Sequence, residues 1–164
     1  MNPLDPNKTK AVWDRVMANQ GELPVAAPAA PASNQTVCAS EIMELIQDER
    51  NDACTYFALA KCVGGRDCAC LQRIAQEELC HAKRLSTVYY VLTGNRACVC
   101  PEPTESVTCL PESLRKQHQQ ELEGVETYEA LARRESPYQN LFWQLSDEER
   151  RHAQKVLCLL QRYL

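Results

Sequence analysis

The sequence predicts an all-α fold: a four-helix bundle built from two copies of one helical hairpin, joined by a long connection and preceded by a separate arm. Three observations carry that expectation. From about residue 38 the apolar residues recur at helical spacing, without the alternation of strands. Strong turn signals are few, chiefly Gly64-Gly65, Gly94 and the prolines at 101, 103, 111 and 137. The two halves also match each other. "ERNDACTYFALAK" lies on "ELEGVETYEALAR" with a shift of 72, and "EELCHA" lies on "EERRHA" with a shift of 71. The one-residue difference falls in the turn between helices.

Each element follows in order. Residues 1–37 form the arm: Val12, Trp13, Val16 and Met17 make one apolar stripe on a short helix over 8–18, and a Pro/Ala-rich stretch then reads as an extended linker. Residues 38–164 form the bundle. The first helix runs to about Lys61 and stops at the glycine pair. Asp67 is expected to cap the second, which continues to about Leu92 before Gly94. Residues 95–110 hold two prolines and no periodicity, so they form a long crossover. Pro111 suits the first turn of the third helix, which runs to about Arg134. "SPYQ" opens the fourth, with Ser136 as cap, Pro137 in the first turn and Gln139 completing a capping box.

Composition excludes several function classes. Of 164 residues, 18 are Lys or Arg and 22 are Asp or Glu, and the signs are interspersed. No basic footprint for nucleic acid results, and no polybasic membrane patch. No apolar run reaches membrane-spanning length, and the N-terminus lacks the apolar core of a secretory signal, so a cytoplasmic location is expected. Ten cysteines are expected to be mostly free thiols; none stand in a C-x-x-C knuckle, although several fall towards one end of the bundle. With five glycines and no phosphate-loop motif, nucleotide chemistry has little to work with.

The repeat carries the chemistry. Glu78 with His81, and Glu149 with His152, are Glu-x-x-His pairs that use two of only three histidines. Residues three apart share a helix face, so each pair can grip one metal ion. If the crossover spans the bundle, Glu49, Glu78, Glu121 and Glu149 all lie about 15–22 Å from the end holding the first turn. Sixteen residues of crossover reach roughly 50 Å, enough to pass a helix of about 35–40 Å. Four carboxylates meeting in a bundle core repel one another, and two divalent cations would balance their charge. An oxygen-rich set with one imidazole per ion suits iron or manganese better than a closed structural zinc site.

On these residues the chain resembles the ferritin-like di-iron carboxylate proteins, most of all the four-helix domain of rubrerythrins, over roughly residues 38–164. The carriers are Glu49 with Tyr56, "EELCH", Glu121 with Tyr128, and "EERRH". The resemblance implies that Glu49, Glu78, His81, Glu121, Glu149 and His152 ligate two iron ions, with manganese as the other metal to consider. It implies that Tyr56 and Tyr128 orient carboxylates. The implied reaction is reduction of hydrogen peroxide or dioxygen. Its electrons would come from a separate donor such as a rubredoxin-type protein, since no such module is present. A homodimer is the expected assembly. The family commonly carries an additional glutamate three residues beyond the third-helix ligand; Gly124 stands there, with Glu123 and Glu126 facing other ways. His118, one turn before Glu121, is a further candidate for the site. Other readings are a manganese catalase-like or di-iron oxygenase activity, iron storage or delivery, and a non-enzymatic helical module that recruits a partner through the Trp13 arm.

Overall fold

The computed structural model describes residues 37–104 and 106–164. The arm helix and linker expected before residue 37 lie outside the described residues. Four helices follow: α1 (Ala39–Ala60), α2 (Gly65–Thr93), α3 (Leu110–Ala132) and α4 (Gln139–Tyr163). The described residues contain no strand. No helix among them is long and apolar enough to cross a membrane.

Local chemistry sets the helix ends. The Cys38 N–H donates to the Glu41 carboxylate at 3.0 Å, closing the first turn of α1, and Arg134 reaches the same carboxylate at 2.7 Å. Gly65 and Gly94 bracket α2 at φ 57° and 71°, left-handed positions that a side chain would strain. Pro111 sits in the first turn of α3, where a missing N–H costs nothing.

Two capping expectations are corrected. Asp67 does not cap α2, because Gly65 starts that helix earlier; its carboxylate instead ties Arg162 and the Tyr163 hydroxyl at the end of α4. α4 begins at Gln139 and not at Pro137. Ser136 Oγ accepts the Tyr138 N–H at 3.1 Å inside the preceding turn, and the Gln139 side chain donates to the Arg134 carbonyl at 2.7 Å. The loop satisfies itself, so no capping box forms across it.

The duplication is visible in burial. The buried residues of α2 are Leu71, Ile74, Ala75, Glu78, His81, Ala82, Leu85 and Val88. Displaced by 71, every one lands on a buried residue of α4, from Phe142 to Leu159. Between α1 and α3 the displacement is 72, and it fails once: Ile46 is buried, whereas its counterpart His118 is half-buried and the neighbouring Gln117 takes the core. Each hairpin thus presents one stripe at helical period, interrupted at the same depth by acidic and imidazole groups.

Two apolar cores flank that depth. One gathers Ile42, Ile46, Leu85, Val88, Leu131, Phe142 and Leu145; the other gathers Leu59, Leu71, Ile74, Leu114, Val156 and Leu159. The connection between α2 and α3 runs from the first core to the second, with Val99 in the one and Val107 against the other. Along the way α1 holds it: Gln47 donates to the Cys100 carbonyl at 2.9 Å, Arg50 to the Val99 carbonyl, and the Glu102 N–H donates to Asn51 at 2.8 Å. A connection that travels the length of the bundle makes α2 and α3 parallel.

Candidate metal centre

Between the two cores lies a buried polar layer. Glu49, Glu78, His81, Glu121, Glu149 and His152 are each no more than 6% exposed, although none is an apolar residue. One ligand-type atom from each of Glu78, His81, Glu149 and His152 lies within 4.8 Å of every other, a group that could hold a metal ion. Both Glu-x-x-His pairs converge because α2 and α4 present equivalent faces at the same depth.

The contacts divide this layer into two related halves. Glu78 approaches His81 Nδ1 at 3.0 Å and His152 Nδ1 at 2.8 Å. Glu149 likewise approaches His81 Nδ1 at 2.8 Å and His152 Nδ1 at 3.5 Å. These two carboxylates therefore stand between the imidazoles, whose rings stack with centroids 5.4 Å apart. Glu49 joins the His81 side at 3.1 Å, and Glu121 joins the His152 side at 3.6 Å. All eight residues singled out in the sequence meet here: Tyr56 donates its hydroxyl to Glu121, and Tyr128 donates to Glu49. Each tyrosine supports the carboxylate of the other hairpin.

Outside the layer, the far nitrogens of the imidazoles are anchored. His81 Nε2 meets Glu148 at 2.9 Å, and His152 Nε2 meets Glu77 at 2.7 Å. Arg84 holds Glu148, and Lys155 holds Glu77 at 2.7 Å. With Nε2 committed to a carboxylate, Nδ1 is the nitrogen turned to the glutamates, and it would offer a lone pair to a metal ion once its proton leaves. Glu77 and Glu148 were not singled out in the sequence. Their signal was the doubled glutamate of "EELCH" and "EERRH", the first of each pair being the anchor and the second facing inward.

The electrostatics of the layer suit a cation. Both oxygens of Glu78, Glu121 Oε2, Glu149 Oε1 and His152 Nδ1 are buried without an aligned hydrogen bond. They lie close in distance yet do not point along one another's hydrogens, as donors do when they converge on a common point between them. Burial acts to lower the His81 and His152 pKa values, but the neighbouring carboxylates prevail, Glu149 first at His81 and Glu121 first at His152. These pairs are close contacts of opposite charge and not aligned hydrogen bonds; they hold His81 well above its usual range and raise His152 to about 12. Burial pushes Glu49 and Glu121 upward, with the charge of Glu149 adding to it at Glu49. For Glu149 burial is outweighed by the proximity of His152 and His81, and its pKa falls. In the metal-free chain, imidazolium protons supply the positive charge that the carboxylates require.

Two clefts reach the layer from opposite sides. One of about 290 Å³, lined by residues of α2 and α4, carries Arg84, Arg151 and Lys155 beside Glu77 and Glu148. The other, about 340 Å³, lies between α1 and α3 and reaches Glu49, Glu121 and Glu149. Asp52 lines this second cleft; Gln117 donates to it at 2.6 Å, and burial, aided by the charge of Glu78, pushes its carboxyl up to about 7. His118, Glu123 and Glu126 make no hydrogen bond or ion pair with the cluster among the described residues. All ten cysteines are free, and none joins a group of three or more ligand-type side chains there, so no thiol cluster forms at either end.

The described residues thus form four helices and no strand, with a buried glutamate–histidine cluster that could bind metal. No family model, curated protein or solved structure matches the chain.

Proposed function

We propose that this chain is a ferritin-like, rubrerythrin-type protein that holds two iron ions and reduces hydrogen peroxide or dioxygen with electrons from a separate donor. The observation that carries the reading is the set of six buried donors, arranged as two equivalent halves that share Glu78 and Glu149, with oxygens and a nitrogen left unpaired towards the space between them. Two divalent cations balance the four carboxylates, and the oxygen-rich set favours iron or manganese.

Each residue then has a task. Glu49 with His81, and Glu121 with His152, would hold one ion each, with Glu78 and Glu149 available to both. Tyr56 and Tyr128 are pushed to high pKa by burial, so they stay protonated and keep Glu121 and Glu49 oriented. Glu148 and Glu77 fix the imidazole rings, an outer support worth about 10–100-fold in metal affinity in comparable sites. The apolar cores above and below exclude water, leaving the two clefts as the approaches. A ferrous pair held by these residues would supply the two electrons that peroxide reduction needs. Two electrons with two protons would take peroxide to two waters, and a separate rubredoxin-type donor would restore the electrons. A homodimer and a cytoplasmic setting belong to the same proposal.

The test is metal content after anaerobic loading with ferrous iron and desalting, followed by peroxide consumption with a reduced donor. The expected result is close to two irons per chain, with clear loss in Glu49→Ala/Glu121→Ala and peroxide turnover that tracks the iron. A chain that retains neither iron nor manganese overturns the reading.

A further inference from the structure

The two clefts differ in charge. Beside the α2–α4 cleft stand three cationic side chains, Arg84, Arg151 and Lys155. The α1–α3 cleft has no Lys, Arg or His in its lining, and its walls carry Asp48, Asp52 and Glu123. It ends on Glu49, Glu121 and Glu149, which are 6%, 4% and 5% exposed. Two of those carboxylates present buried oxygens with no hydrogen-bond partner, Glu121 Oε2 and Glu149 Oε1.

Gly124 keeps this path open. It lines the cleft where α3 passes α4, and a Cβ placed there would lie 3.4 Å from Glu149 Cγ and 3.8 Å from its Cδ. Any larger side chain at 124 would stand between the cleft and the Glu149 carboxylate. In the repeat, the α1 residue equivalent to Gly124 is Asp52, so one wall bears a carboxylate where the facing wall bears nothing.

We propose that the α1–α3 cleft is the route by which divalent cations reach the centre, with Asp48 and Glu123 drawing the ion in and Gly124 leaving Glu149 open to receive it. The proposal rests on the metal-centre reading and adds the direction of loading. A cleft lined by one sign of charge with low-dielectric walls concentrates the counter-ion and raises its association rate by about 10–1000-fold, an effect that salt removes. The opposite cleft sets its cations against Glu77 and Glu148 in ion pairs, so it offers the ion no such attraction.

The experiment is stopped-flow uptake of cobalt(II) by the full chain at low ionic strength, read by the absorption of bound cobalt, with final stoichiometry measured separately. Asp48→Asn/Glu123→Gln removes the two wall charges. Glu126→Gln/Glu135→Gln removes equal charge from exposed positions that line neither cleft. Cobalt uptake is expected to slow about tenfold in the first variant and to lose most of its salt dependence. The control is expected to stay within about twofold of wild type. Equal slowing in both variants would show a general charge effect and overturn the route, as would wild-type kinetics in the first variant. A wild-type chain that takes up no cobalt overturns the metal centre itself and the route with it.

Discussion

At the scale of single residues, the centre depends on groups that never face the space between the ligands. Tyr56 and Tyr128 each donate across to the other hairpin, and Glu77 and Glu148 each anchor the histidine of the facing helix. Every half is therefore oriented by the opposite hairpin. Glu77→Gln and Glu148→Gln retain size while removing charge, and each is expected to weaken binding of the second cobalt ion about 10–100-fold. Titration against a chelator of known affinity checks this; unchanged affinity in both variants would show that ring anchoring has no influence. The inward glutamates and the histidines were legible in the sequence because they recur at fixed spacing. Glu77 and Glu148 were not, since adjacent helix residues point in different directions and nothing local says which helix waits there. His118 shows the converse case: its chemistry suggested a ligand, but it occupies the repeat position of the core residue Ile46.

At the scale of elements, the four helices and the crossover lie where periodicity and turn residues put them, and the differences cluster at helix starts. Gly65 begins α2 at φ 57°, which displaces Asp67 from the cap and frees it for Arg162 and Tyr163 on α4. No sequence rule separates a capping Asp from one that clamps another helix, because both occupy the first turn. Gly94 ends the same helix at φ 71°, with its N–H donating to the Tyr90 carbonyl at 2.8 Å. Neither glycine has any atom within 4 Å of an added Cβ, so backbone strain alone opposes substitution. Gly65→Ala and Gly94→Ala are each expected to cost about 1–2 kcal/mol, seen as a melting temperature lower by a few degrees. A Tm unchanged in both would show that neither position needs the left-handed conformation.

At the scale of the whole molecule, an acidic layer between two apolar cores couples stability to metal and to protons. In the metal-free chain the His152 pKa stands at about 12 against 6.5 for the free side chain. The stabilisation from its charged form is complete below pH 6.5 and fades only as pH rises towards 12. Metal needs the neutral imidazole, so loading at neutral pH must release protons. Calorimetry of cobalt binding in buffers of different ionisation enthalpy is expected to show proton release, with affinity rising about tenfold per pH unit for each proton displaced. Absence of release would mean that the imidazoles are already neutral. Loaded chain is also expected to melt later than chelator-treated chain, by the equivalent of about 2.7 kcal/mol for each bound ion when free metal is 100 times its Kd.

The sequence by itself determined the helical class, the duplicated hairpin, the long crossover and the identity of the inward-facing donors. These are properties of one helix at a time, written in the spacing of residues along it. Only the tertiary structure decided that Glu78 and Glu149 stand between both imidazoles, that tyrosine and glutamate supports cross from one hairpin to the other, and that Gly124 lies against Glu149. Those features depend on the rotation and register of helices against one another. Packing in the two flanking cores sets both, and no local pattern encodes them.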